Sequence, residues 1–146
     1  MEKRRRALGM KRAFLDSSVL FTAVNSPSGG SAKLFTLDKI KLVTSKVVLA
    51  ETERNVRKKL RSYHLKRFFL LVGQLEILDQ KPNSKLIEKA RGVIVKKDAV
   101  ILAEAKKAQS DFLITLDRKH FFTPSVAKFI KPQQVLTPKM LLSGEA

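Results

Sequence analysis

The chain has 146 residues, a length that suits one domain with a single core. Hydrophobic residues make up 44% of it, which excludes an intrinsically disordered chain, and no apolar run approaches the roughly 18 residues that span a bilayer. The formal net charge of +17 indicates a polyanionic partner, most often nucleic acid. The lack of cysteine excludes a disulfide framework and a thiolate metal site, and it favours a cytoplasmic protein.

The N-terminal stretch MEKRRRALGMKR is charged, and it lacks the long apolar segment and the small-residue cleavage site of a signal peptide. We therefore expect a basic extension over residues 1–11 and one globular domain over residues 12–146. Met10 is an alternative start of the protein, in which case residues 1–9 would not be part of it.

The first third of the domain alternates short apolar runs with helical patterns. Residues 13–15 predict a strand, and the apolar spacing after them predicts a helix that begins near Ser17. Residues 25–31, NSPSGGS, form a turn cluster without the glycine and lysine pattern of a phosphate-binding loop. Residues 32–39 predict a second helix, and residues 40–44 predict a second strand.

The same alternation continues to the end of the chain. In order, the pattern predicts a long helix over 46–63 with Ser45 as its N-cap, a helix over 65–74, a strand over 75–79, a helix over 85–93 with Ser84 as its N-cap, a helix over 96–109, a strand over 111–115 and a last strand over 133–137. Strands separated by helices of this length need crossover connections and therefore form a parallel sheet. The predicted fold class is α/β, a three-layer α/β/α sandwich with a parallel sheet of four or five strands.

Four of the 13 acidic residues are placed to meet at one edge of that sheet. Asp16 follows the first strand and Asp117 follows the fourth, while Asp98 opens the helix before strand four and Glu51 lies early in the helix after strand two. Each has an ordinary structural explanation as a helix cap, a turn residue or a partner of the helix dipole. Their convergence at the carboxyl ends of parallel strands favours a functional site.

Clustered carboxylates repel one another unless a cation lies between them. The hard ions Mg²⁺ and Mn²⁺ suit an all-oxygen site, whereas zinc is disfavoured because His64 and His120 lack paired ligand spacing. Both histidines are interpreted as surface or packing residues, with His120 close enough to Asp117 to contact a substrate phosphate. Acids that bind Mg²⁺ in a basic protein are typical of a phosphodiesterase that acts on nucleic acid.

Four short motifs carry a resemblance to a known family. They are LDSSVL (15–20), VVLAE (47–51), DAVILA (98–103) and TLD (115–117). Together they resemble the motifs of the PIN domain, the fold of many prokaryotic toxin–antitoxin ribonucleases, over residues 12–138. The resemblance implies that residues 12–146 form a PIN-like nuclease domain, a magnesium- or manganese-dependent endoribonuclease that hydrolyses RNA phosphodiesters.

The resemblance also implies the roles of individual residues. Asp16, Asp98 and Asp117 would hold one or two Mg²⁺ or Mn²⁺ ions, Glu51 would complete the site or position water, and Thr115 would orient the acids.

Three further positions follow from the same motifs. Ser17 fits the small hydroxyl position of the family, whereas Ser18 replaces the usual Asn. Glu53 remains the alternative to Glu51, because it lies nearer the apolar stripe of its helix. Asp111 is expected to cap the entrance of strand four, at the opposite edge of the sheet.

The implied partners are RNA, a small antitoxin protein and a second copy of the chain in a homodimer, without a membrane. Basic residues over 54–67 are candidates to hold the RNA backbone, or they form a solvated helix face. The alternative function is a catalytically silent PIN-like module that binds RNA or protein. A flavodoxin-like signalling domain is a third interpretation, but the sequence offers no persuasive lysine after a later strand.

Overall fold

A computed structural model describes residues 10–144, so the predictions for residues 1–9 lie outside the described residues. Its centre is a five-stranded parallel sheet in the order β3-β2-β1-β4-β5. The strands are β1 (Lys11–Leu15), β2 (Ile40–Ser45), β3 (Glu76–Leu78), β4 (Phe112–Ile114) and β5 (Gln134–Leu136).

Helices connect each strand to the next one. They are α1 (Ser17–Asn25), α2 (Gly30–Lys33), α3 (Lys46–Lys59), α4 (His64–Val72), α5 (Ser84–Arg91), α6 (Lys96–Ala108), α7 (Arg118–Phe121), α8 (Pro124–Ile130) and α9 (Pro138–Leu142), with a 3-10 turn at Leu34–Thr36. The helices lie on both faces of the sheet, which confirms the predicted α/β fold.

The central strand β1 divides the core into two halves. Successive side chains of a strand point to opposite faces. Ala13 and Leu15 therefore pack into one buried cluster with the apolar face of α1, whereas Phe14 packs into a second cluster with residues of α6 such as Leu102. All three β1 side chains are fully buried, so the strand is covered on both faces, as expected for a parallel sheet.

The structure corrects two local predictions. The helix predicted over 32–39 is replaced by α2 and the 3-10 turn, which ends at Thr36. The cap predicted at Ser84 is supplied by Asn83, whose side chain accepts a hydrogen bond from the backbone N–H of Leu86 at 3.0 Å. An Asn side chain caps a helix as well as a Ser, so the sequence pattern could not separate adjacent candidates. The N-cap predicted at Ser45 is confirmed.

Asp111 lies at the amino-terminal edge of the sheet, as predicted. Its carboxylate accepts a hydrogen bond from the backbone N–H of Arg12 at 2.8 Å, and its own N–H donates to the Arg12 carbonyl at 2.9 Å. It thus ties the start of β4 to β1. Among the described residues, no helix combines the length and the apolar character needed to cross a bilayer.

Candidate active site

Asp16 is the most buried of the four predicted acids. It follows the last residue of β1, and only 4% of its surface is exposed. Its Oδ2 accepts hydrogen bonds from Thr115 Oγ1 at 2.7 Å and from Ser18 Oγ at 2.8 Å. It occupies the N-cap position of α1, but its side chain makes no capping hydrogen bond to that helix. The carboxylate therefore serves a different purpose from the ordinary cap.

Thr115 and Ser18 connect Asp16 to the segment that follows β4. Thr115 Oγ1 accepts a hydrogen bond from the Asp117 backbone N–H at 3.1 Å, and Ser18 Oγ accepts one from the Leu116 N–H at 3.2 Å. Both hydroxyls donate to the same carboxylate and accept from the same short loop. Ser18, which replaces the usual Asn of the family motif, thus supplies a supporting hydrogen bond of its own.

Glu51 approaches Asp16 through Ser17. Ser17 Oγ lies 2.5 Å from Glu51 Oε2 and 3.4 Å from Asp16 Oδ1, so one hydroxyl lies between the two carboxylates. Glu53 instead pairs with Arg57 at 2.9 Å, one turn further along α3. The contacts therefore bring Glu51, and not Glu53, to the acid cluster.

Asp98 and Asp117 meet at His120. His120 Nδ1 lies 2.8 Å from Asp117 Oδ2 and 3.7 Å from Asp98 Oδ2. Asp117 also caps α7, because its Oδ1 accepts a hydrogen bond from the His120 backbone N–H at 3.0 Å. The side chains of Asp98 and His120 are only 15% and 23% exposed. Two acids from different elements and one imidazole thus converge in a partly buried site.

Burial and mutual repulsion act on the charges of these acids. Burial raises the pKa of Asp16, and the nearby Glu51 carboxylate adds to the effect. Burial also raises the pKa of Asp98, reinforced by the negative charges of Asp117 and Asp16. Asp117 differs: burial opposes its ionisation, but hydrogen bonds from the side chain and backbone of His120 lower its pKa overall. The four acids therefore form one interacting cluster.

The donor set fits a divalent cation. Asp98 Oδ2 is a buried oxygen without a hydrogen-bond partner, an arrangement that costs free energy unless another group compensates it. Asp98, Asp117 and His120 each offer a ligand atom, and these atoms lie within 4.8 Å of one another. Within residues 10–144, the set that meets this criterion does not include Asp16 or Glu51. Those two acids lie beside the set, joined to it through Thr115 and Ser17.

His120 is the site residue whose role the sequence interpretation missed. It was treated as a surface or packing residue, with a phosphate contact as the functional alternative. The signal was its spacing of three residues from Asp117, which places both side chains on the same face of one helical turn. That spacing became informative only once α7 was known to begin directly after Asp117.

Basic side chains border the acids. The Lys97 ammonium stabilises the ionised forms of both Asp98 and Asp117, and the exposed Arg118 and Lys119 directly follow Asp117. The basic run over 54–67 begins in the second half of α3. Lys58 lies seven residues beyond Glu51, about 10 Å further along the helix axis at 1.5 Å per residue. The lysine that acts on Asp98 and Asp117 thus comes from the start of α6.

The raised pKa of Asp98 predicts a pH-dependent stability of the metal-free protein. Between the ordinary aspartate pKa of 3.8 and its raised pKa in the folded protein, Asp98 binds more protons in the folded state than in the unfolded chain. The free energy of unfolding therefore falls as pH rises through this range. In EDTA, Asp98→Asn should therefore melt at a higher temperature than wild type at pH 7. The difference should shrink as pH falls towards 3.8. Thermal melts from pH 4 to 8 test this, and Asp38→Asn, the same substitution at an exposed aspartate, serves as the control. A melting temperature of Asp98→Asn below wild type at pH 7 would contradict the electrostatic argument.

Comparison with known proteins agrees with this geometry. The family model described as the PIN domain matches residues 13–123. No curated protein sequence matches the chain with significant similarity.

Several solved structures share the fold. VapBC2 from Rickettsia felis, bound to a DNA fragment from its promoter, is 20% identical over 86% of this chain and 98% of that chain, with a TM-score of 0.67. DNA-bound VapBC from Salmonella typhimurium is 17% identical over 88% and 99%, also with a TM-score of 0.67. VapC20 from Mycobacterium tuberculosis, a toxin that cleaves the sarcin-ricin loop, is 17% identical over 73% and 91%, with a TM-score of 0.55. At these identities the structural likeness shows the fold, and the family model covers most of the chain: the protein belongs to the PIN domain family.

Proposed function

We propose that this protein is a divalent-metal-dependent endoribonuclease that acts as the toxin of a toxin–antitoxin pair. The observation that carries the proposal is the convergence of four acids at one sheet edge, where Asp98 has a buried carboxylate oxygen without a hydrogen-bond partner. The similar VapC20 is described as a toxin that cleaves the sarcin-ricin loop, which supports RNA as the substrate class.

The acids divide into two groups with different tasks in this proposal. Asp98 and Asp117 hold the ion directly, because their oxygens already face a common point with His120. Asp16 completes the site from the end of β1, and Glu51 completes it from the first half of α3, where it also positions water. When bound, Mg²⁺ or Mn²⁺ supplies a Lewis acid that stabilises negative charge on the scissile phosphate.

The hydroxyl groups keep the carboxylates in position. Thr115 fixes Asp16 Oδ2 and the Asp117 backbone at once, so a displacement of either acid strains the hydrogen bonds of the other. Ser17 holds Glu51 beside Asp16. Positioned charges of this kind stabilise a transition state without reorganising during the reaction.

Loss of the metal-attracting charge should stop catalysis. Purified protein should cleave single-stranded RNA with Mg²⁺ or Mn²⁺, and EDTA should abolish cleavage. Asp16→Asn and Asp98→Asn keep the size of the side chain but remove its negative charge. Each should lower kcat/KM by at least about a hundredfold if the metal supplies several kcal/mol of transition-state stabilisation. Single-turnover assays on a labelled RNA measure the effect.

Asp111→Asn is the control, because that residue ties β4 to β1 at the opposite edge of the sheet. It should retain most activity in the folded fraction, as determined by circular dichroism. Parallel purification of both proteins controls for a contaminating nuclease, and equal cleavage by Asp16→Asn and wild type would end the proposal. RNA binding without cleavage in any divalent ion would instead favour the catalytically silent module.

RNA binding should depend on the cations beside the acids. Phosphate contacts release condensed counterions, so affinity should fall steeply between about 50 and 200 mM salt. Lys97→Ala should weaken RNA binding. It should also reduce the slope of log K against log salt concentration by about 0.7, the value of one phosphate contact on a single strand.

Lys58→Ala removes the same charge at the far end of α3 and tests the basic run over 54–67. If Lys58→Ala lowers the RNA affinity more than Lys97→Ala does, the RNA-binding surface is the basic run over 54–67 instead. Fluorescence anisotropy with the inactive Asp98→Asn protein separates binding from cleavage.

We also propose a small antitoxin protein as the partner. The Rickettsia felis, Salmonella typhimurium and Haemophilus influenzae structures are VapBC complexes, which supports a partner of this type. Helix α4 has apolar side chains that the other described residues, 10–144, leave exposed: Phe69 is 52% exposed and Leu70 is 60% exposed, and Tyr63, just before the helix, is 70% exposed. Single exposed apolar residues are common, but three within eight positions are typical of an interaction surface.

Co-expression with a small protein encoded beside the gene tests this pairing. The complex should co-purify and should suppress RNA cleavage, and Leu70→Glu should weaken it because a charge would be buried in the interface. Lys85→Glu, a substitution at an exposed residue of α5, is the matched control. A stable homodimer that Leu70→Glu dissociates would assign the apolar surface to a second copy of the chain instead.

A further inference from the structure

The His120 imidazole lies beside the two carboxylates that would hold a cation in the proposed site. Its Nδ1 is 2.8 Å from Asp117 Oδ2 and 3.7 Å from Asp98 Oδ2. Neighbouring ligands of an octahedral ion with bonds of about 2.1 Å lie about 3 Å apart. The two distances bracket that separation, so only a small movement would bring all three atoms to one ion.

The local fold holds the imidazole in this position. Helix α7 begins directly after Asp117, whose Oδ1 accepts the His120 backbone N–H at 3.0 Å. The next residue, Phe121, is 1% exposed and anchors the helix in the core formed with α6. The His120 ring is therefore held beside Asp117 and Asp98, and its side chain is only 23% exposed.

We propose that His120 Nδ1 is itself a ligand of the divalent ion, which makes the site a mixed oxygen and nitrogen site that favours Mn²⁺ over Mg²⁺. The inference rests on the metal site of the proposed function. Imidazole is a better ligand for transition metals than for Mg²⁺, which prefers oxygen donors and retains water. In the tautomer with its proton on Nε2, the Nδ1 atom presents a lone pair to the ion.

The competing interpretation is that His120 only donates a hydrogen bond to Asp117. That role accounts for the 2.8 Å contact. It leaves Asp98 Oδ2 buried without a hydrogen-bond partner, 3.7 Å from the same nitrogen. A shared ion satisfies Asp98, Asp117 and His120 together.

Pulsed electron paramagnetic resonance on bound Mn²⁺ detects a directly coordinated nitrogen. The chain has two histidines, so labelling with ¹⁵N-histidine reports on His64 and His120 alone. Wild-type protein should show a ¹⁴N modulation that is replaced by a ¹⁵N coupling after labelling. His64→Gln should leave the signal unchanged, and His120→Asn should abolish it.

His120→Asn also separates the two roles. The Asn amide retains a donor near the position of Nδ1, so it preserves a hydrogen bond to Asp117 but offers the ion no imidazole nitrogen. We expect Mn²⁺ affinity to fall at least about tenfold, while Mg²⁺ affinity changes much less. Calorimetric titration with each ion measures the dissociation constants of wild type and variant, and thermal melts confirm that the variant is folded.

Three outcomes overturn the inference: bound Mn²⁺ without a nitrogen coupling, a coupling that survives His120→Asn, or equal losses for both ions. In each of them the metal site of the proposed function stands, provided that Asp98→Asn abolishes Mn²⁺ binding. If wild-type protein binds neither ion, the proposed metal site fails, and the inference fails with it.

Discussion

The candidate site depends on one buried carboxylate. Asp16 lies at the end of the central strand, 4% exposed, and Thr115 and Ser18 donate to the same oxygen. A buried carboxylate is tolerated only when it is hydrogen-bonded or paired, since its desolvation otherwise costs several kcal/mol. The same two hydroxyls accept from the backbone at Leu116 and Asp117, so the carboxylate also fixes the turn that presents Asp117.

The parallel sheet explains why acids distant in sequence meet. β1 pairs with both β2 and β4, and their carboxyl ends therefore share one edge. Asp16 lies on that edge directly, Glu51 reaches it from α3, and Asp117 reaches it from the turn after β4. Like charges at one edge repel each other, and this repulsion raises the free energy of the ionised acids. Lys97 and His120 partly offset it, because both stabilise the ionised forms of Asp98 and Asp117. The net charge of +17 acts at longer range and attracts a polyanion to a site that is itself acidic.

The sequence was sufficient for the fold and for the neighbourhood of Asp16, Glu51, Asp98 and Asp117, because strand–helix alternation and short motifs are local patterns. It was insufficient where a contact depends on tertiary packing. The pairing of Glu53 with Arg57, which leaves Glu51 to face Ser17, depends on the rotation of α3 about its axis. A helical wheel gave the opposite preference, since it records which residues are apolar and not which neighbour each carboxylate meets.

The same limit applies to His120. The lack of cysteine and of paired histidine spacing indicates an all-oxygen centre suited to Mg²⁺ or Mn²⁺. The start of α7 directly after Asp117 places an imidazole nitrogen among the oxygens, a juxtaposition that ligand spacing rules do not cover. Asp117 then has two tasks, as the cap of α7 and as an acid of the cluster, and its two oxygens divide them between the backbone N–H and the imidazole of His120. Because the cap positions the imidazole beside Asp98, the helix that Asp117 begins also adds a nitrogen atom to the group that could hold a metal ion.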